Sequence, residues 1–174
     1  INIMKKIFNL KMMALFIAYS SFALVDLHAG SEDKSQIKYI SYSQLGNPAD
    51  VLKVKIEPSK ELSSGEVRVK VLAAPINPSD LYQISGNYGV DPVLPARPGS
   101  EGVGRVTEVS PEVKNLSVNQ LVLLASGSTW AEEIVAPAEE FLPLPNLGPI
   151  NAETIEQLSM SAVNPLTALL MLTS

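Results

Sequence analysis

The sequence predicts a mainly β fold: a closed or partly closed barrel of short strands, with a few short helices between them. Several runs alternate apolar and polar residues with a period of two. Thirteen prolines and ten glycines punctuate those runs and mark turns at short intervals. Helical spacing of apolar residues is confined to three short stretches. The 174 residues suffice for one domain with its own core and are few for a two-domain enzyme.

The first strands are "IKYISY", residues 37–42, and "VLKVKI", residues 51–56, joined by a turn at Gly46, Asn47 and Pro48. "EVRVKVLAA", residues 66–74, alternates most cleanly, with Val67, Val69 and Val71 on one face and Arg68 and Lys70 on the other. "EGVGRVTEV" (101–109), the continuous apolar "NQLVLLA" (119–125), "TWAEEIVAP" (129–137) and "FLPLP" (141–145) complete the set. The first helix lies in "NPSDLYQISG". Asn77 or Ser79 suits the cap, Pro78 the first turn and Gly86 the end, with Leu81 and Ile84 on one face. The second starts at Asn151, with Ala152, Ile155, Leu158 and Ala162 at helical spacing. The third starts near Pro165 and runs to the last residue without a stop signal, which suggests an incomplete chain.

The formal charge of −5 gives no basic surface for nucleic acid. There is no cysteine, so disulfides and thiolate chemistry are excluded. Lys5, Lys6 and Lys11 precede the uncharged run "MMALFIAYSSFALV", and a small residue, Ala29, stands ahead of the polar "GSEDKSQ". This pattern reads as a secretory signal peptide over residues 1–29, followed by a linker over 30–36. The apolar run is shorter than the roughly 20 residues that a membrane span needs, so no stable span is expected once it is cut. The expected location is exported or periplasmic, and cytoplasmic if no export occurs. Removing residues 1–29 takes away His28, the sole histidine, and leaves ten Lys and Arg against seventeen Asp and Glu. Nucleophile–histidine pairs are then excluded, and a zinc site would need carboxylates alone. Tyr, Lys, Asp and Glu remain for moving protons.

Four stretches in order, "LAAPINPSDLYQISGNYG", "LPARPGSEGVGRV", "STWAEEIVAP" and "SAVNPLTALLML", resemble the zinc-free branch of the medium-chain dehydrogenase/reductase superfamily. Within it the likeness is greatest to the mitochondrial-type 2-enoyl thioester reductases. The resemblance covers residues 37–174 and implies a GroES-like, partly open barrel over 37–162. This is the catalytic half of an α/β two-domain reductase. Residues 163–174 would begin the helix leading to an NADPH-binding Rossmann domain. No glycine-rich dinucleotide turn occurs, because Gly99, Gly102 and Gly104 have the wrong spacing and fall inside the barrel motif. The resemblance thus implies a fragment that lacks the cofactor-binding half and is inactive alone. Dimers of the family join mainly through that half, so it leaves the oligomeric state of this chain open.

In zinc-containing relatives a cysteine ligand stands where Asn77 falls and a histidine ligand where Ser100 falls, so the resemblance implies a metal-free cleft. It implies NADPH as cofactor, a 2-enoyl thioester as substrate, and Tyr88 of "GNYG" as proton donor. A phenol, with an unperturbed pKa of about 10, stays protonated at neutral pH. By the same likeness Asn77 lies near nicotinamide and substrate, and Thr167, with Asn164 beside it, contacts the cofactor from a helix start. Simpler roles stand beside these. Tyr88 suits an ordinary loop tyrosine, Asn77 and Asp80 suit a helix cap, and Thr167 suits a plain helix position. Glu101 suits a structural carboxylate bonded to backbone or to Arg105, Trp130 a core or cleft-wall residue, and Tyr82 packing on the barrel. Two alternatives remain: a quinone oxidoreductase fragment, and a non-catalytic secreted GroES-like binding module.

Overall fold

The computed structural model describes residues 36–173. The expected signal peptide, and all of the expected linker except Gln36, lie outside the described residues. In chain order the elements are β1 (Gln36–Ser41), α1 (Pro48–Val51), β2 (Lys53–Pro58), β3 (Glu66–Ala73) and α2 (Pro78–Ile84). They continue with β4 (Gly102–Val109), β5 (Leu121–Leu124), β6 (Glu133–Pro137) and β7 (Phe141–Pro143). Two helices follow, α3 (Ala152–Ser159) and α4 (Val163–Thr173).

Five strands form one antiparallel sheet in the order β6-β3-β4-β5-β7, and β1 pairs with β2 in a separate ribbon. The larger sheet curls into a half-barrel with a few short helices around it, the mainly β architecture expected. Its concave side is filled by Val67, Val69, Val106, Val122, Leu124 and Phe141, all fully or nearly fully buried. The alternation of β3 explains this arrangement: Val67 and Val69 point inward while Arg68 points outward to Glu108 and Glu133. A smaller core of Tyr42, Val51 and Ile84, with Trp130 packed on it, fastens α1 and α2 beside the ribbon.

Two register shifts occur where β3 meets β4, between Arg68 and Val69 and between Val71 and Ala73. The second lies where β4 carries glycines. A Cβ built on Gly104 would overlap Val69 Cγ1 and stand 2.9 Å from the Lys70 carbonyl oxygen. On Gly102 it would stand 2.8 Å from the carbonyl oxygen of Ala73. These glycines let two strands approach closely, as the sequence reading placed them inside the barrel.

Several boundaries differ from expectation for identifiable reasons. The turn read at Gly46–Pro48 leads into the one-turn helix α1. Asn47 Oδ1 accepts the Ala49 N–H at 3.2 Å and Pro48 occupies the first turn, so Val51 is buried in a helix and β2 begins at Lys53. Residues 129–132 stand outside β6 and bridge β1 instead, through Tyr39 and Ala131. Asn119 has a φ of 72°, which ends the turn before β5. Tyr82 is exposed rather than packed on the barrel, and Leu81 is exposed while Ile84 on the same helix is fully buried. The third helix starts two residues before Pro165, for a reason that lies in the candidate site.

Replacing Gly104 with alanine is expected to destabilise the protein by about 1–3 kcal/mol, the usual cost of forcing atoms into a filled interior. Urea unfolding should show a lower midpoint with an unchanged slope. A second expectation concerns alkaline pH. Burial, and then the negative charge of Asp80, raise the Tyr42 phenol above its ordinary value of 10.0. The unfolded chain therefore releases this proton first. Stability from the protonated phenol is complete below about pH 10 and is lost as pH rises through the folded-state value. Tyr42→Phe should flatten that alkaline loss in denaturation measured across the range.

Candidate functional site

The stretch from β3 through α2 to β4 brings polar side chains inward next to the smaller core. Asn77 leaves β3 with extended backbone and N-caps α2, with Pro78 in the first turn. Asp80 is three residues on and only 1% exposed. One carboxylate oxygen accepts the Asn77 backbone N–H at 2.9 Å, and the other accepts the Ser100 hydroxyl. Asn77 and Ser100, the two positions that the resemblance sets against metal ligands, thus share one carboxylate here. Among the described residues no cluster of three or more His, Cys, Asp or Glu side chains could hold a metal ion.

Glu101 precedes β4 and is 0% exposed. Its Oε1 accepts the Asn77 side-chain N–H at 3.1 Å. Its Oε2 accepts two backbone N–H groups, from Ala162 at 3.0 Å and from Val163 at 2.8 Å. Its carbonyl oxygen accepts the Thr129 hydroxyl at 2.7 Å. Glu101 is therefore bonded to backbone as expected, while Arg105 donates instead to the Asn119 carbonyl. The two N–H groups are the orphan donors at the start of α4. A carboxylate brought in from β4 caps this helix, so α4 can begin at Val163, and Pro165 sits in its first turn, where it disrupts no helical hydrogen bond.

The expected site residues divide accordingly. Asn77 meets the first turn of α4 through Glu101, and that turn carries Asn164. Thr167 stands one turn further on, its hydroxyl donating to the Val163 carbonyl at 2.8 Å. Asn164 and Thr167 are exposed. Tyr88 lies on the loop after α2, between Gly86 (φ 77°) and Gly89 (φ 84°), left-handed conformations that suit glycine. The residue is 55% exposed. No hydrogen bond links it to Asn77, Asn164 or Thr167. Asn77 fills the capping role with its backbone, and its side chain donates to Glu101. Sequence reading saw Glu101 as structural but not its reach to residues 162–163. The available signal was a single carboxylate set in the glycine-rich, apolar run "PGSEGVG".

A groove of about 580 Å³ lies beside this cluster. Tyr39, Val54, Val71, Ile76 and Trp130 are among its walls, and none of the four expected site residues is. Ile76 directly precedes Asn77, and Trp130 Nε1 donates to the Pro75 carbonyl at 3.0 Å. Trp130 is thus a wall residue that also fixes the strand exit.

Residues 63–146 match the family model of the alcohol dehydrogenase GroES-like domain. The chain is 38% identical over 147 residues to the mitochondrial enoyl-[acyl-carrier-protein] reductase of Bos taurus, a match covering 83% of this chain and 38% of that protein. Etr1p of Candida tropicalis, solved with NADP and crotonyl-CoA, superposes with a TM-score of 0.69 at 32% identity. That match covers 79% of this chain and 43% of Etr1p. A structure from Bacillus thuringiensis assigned as an NADPH:quinone reductase gives a TM-score of 0.69 at 36% identity, covering 80% of this chain and 41% of that one. The chain spans about two fifths of the length of the curated mammalian relatives it matches. With this fold, these matches and the shared motifs, the chain belongs to the medium-chain dehydrogenase/reductase superfamily, as an enoyl thioester reductase-like member carrying an alcohol dehydrogenase GroES-like domain.

Proposed function

We propose that this chain supplies the substrate-side, proton-donating part of an NADPH-dependent reductase of 2-enoyl thioesters. The observation that carries this reading is the Glu101 hub, which joins Asn77 to the first turn of α4 on the same side chain. Two of the residues that would meet cofactor and substrate thereby share one support. The relatives named for enoyl reduction supply the substrate class.

NADPH would supply a hydride to the β-carbon of the enoyl thioester. On this reading the described residues would meet only the nicotinamide end of this cofactor. Their larger sheet is wholly antiparallel, and the glycines of the "GSEGVG" run serve strand packing rather than a phosphate turn. On this reading the rest of the cofactor would be held by residues other than 36–173. On this chain, Tyr88 would deliver its phenolic proton to the α-carbon as negative charge develops there and on the thioester oxygen. Its exposure leaves the resulting phenolate open to reprotonation by water. Asn164 would face the cofactor from the start of α4.

In an enzyme complete with its cofactor-binding half, Tyr88→Phe should lower turnover of crotonyl thioester by about 100-fold, the scale of a positioned proton donor. Tyr82→Phe, on an equally exposed tyrosine of α2, should leave it unchanged. NADPH oxidation followed by absorbance measures both, and full turnover by the Tyr88 variant would remove it from the mechanism. A second reading, quinone reduction, draws on the likeness to the Bacillus thuringiensis structure, and a substrate panel that favours quinones over enoyl thioesters would select it. The 174-residue chain alone should bind no NADPH in calorimetry, and micromolar affinity would contradict the assignment of cofactor binding to another part.

A further inference from the structure

We infer that Glu101 is a positioning residue of this site, whose carboxylate sets the Asn77 side chain and the first turn of α4 in one fixed arrangement. This rests on the reading that Asn77, Asn164 and Thr167 meet cofactor and substrate. It adds a residue that touches neither.

The chemistry of the donor set carries the inference. A fully buried carboxylate is costly unless its oxygens are satisfied. Glu101 has no Lys or Arg partner among the described residues. Its three side-chain donors are all N–H groups, from two segments more than 80 residues apart in the chain. The helix start also places the positive end of an 11-residue helix against this carboxylate. Asn77 Nδ2 must face inward, because a carboxylate only accepts. The orientation of that amide follows from Glu101 rather than from a ligand. The Thr129 hydroxyl, donating to the Glu101 backbone carbonyl, holds the residue itself in place at the mouth of β4. Asp80 and Tyr42 are the other titratable groups close by. Asp80 is engaged by the Asn77 backbone N–H and the Ser100 hydroxyl, so it does not compete for the Glu101 donors.

The test uses the 174-residue chain and nuclear magnetic resonance. In Glu101→Gln one oxygen becomes an NH2 group, which faces N–H donors and cannot accept from them. Three changes are expected together: shifted amide signals at Ala162 and Val163, a shifted side-chain NH2 signal of Asn77, and at least about 10-fold faster hydrogen exchange at Val163. The amides of Val69, Val106 and Val122 should keep their protection. Loss of protection throughout that core would show a merely structural residue and overturn the inference, as would unmoved Asn77 signals. Should Glu101→Gln not fold, Asn77→Ala carries the test. Removing the donor on Oε1 should shift the Val163 amide on Oε2, and an unmoved Val163 would overturn the link. In the cofactor-complete enzyme, Glu101→Gln should lower kcat/KM by about 100-fold, as small misplacements do, and Glu101→Asp should recover part of it. If the resonance changes appear while the unsubstituted cofactor-complete enzyme reduces no enoyl thioester, the proposed reaction fails and the positioning role of Glu101 stands; if they appear while Glu101→Gln turns over fully, that role is overturned.

Discussion

The constraint on which the rest of this structure depends is the need to satisfy a carboxylate that sits wholly inside the protein. Glu101 stands at the mouth of β4, in a run whose glycines bring the chain too close to β3 for water to follow. With no cation beside it, the carboxylate is satisfied by N–H groups, and these come from the exit of β3 and the start of α4. The half-barrel, the α2 cap and the last helix are thereby coupled at one point. Nearby Asp80 repeats the logic on a smaller scale, accepting from Asn77 in its own helical turn and from Ser100 on the segment that leads into β4.

Most of the fold was legible because it depends on local patterns. The period of two in β3, the Asn151 cap of α3 and the glycine that ends α2 each act within a few residues, and each is found where the sequence places it. Where the reading slipped, the deciding partner was tertiary or the local competition close. Asn47 and Pro48 admit a turn or a capped helix, and burial of Val51 selects the helix. The start of α4 depends on Glu101, about sixty residues away, which no window along the chain contains. Tyr82 was read inward on its aromatic character, yet the α2 face that is buried holds Asp80 and Ile84.

The site was legible in a different way. The type and spacing of "INPSD", "GNYG" and "NPLTA" marked Asn77, Tyr88, Asn164 and Thr167 through resemblance, which carries no account of how they are held. The structure gives that account for three of them, through Glu101 and the back-bonded Thr167. Tyr88 has none, since its loop is shaped by two left-handed glycines and the residue is exposed. As the proposed proton donor Tyr88 would take its orientation from bound substrate, whereas Asn77 is oriented beforehand.

That contrast bears on α4. No residue of this helix is buried, and Leu166, Leu169, Leu170, Met171 and Leu172 are all exposed. A helix so apolar gains little by standing alone, because helices in proteins are stabilised chiefly by packing an apolar face. The carboxylate cap therefore does more here than a cap on an ordinary surface helix. It holds the first turn against the domain at the end where Asn164 sits, while the apolar remainder is the kind of surface that associates. The ordering of the polar cluster and the exposure of this helix are then two consequences of one design, in which the near end of α4 is fastened internally and the far end awaits cover.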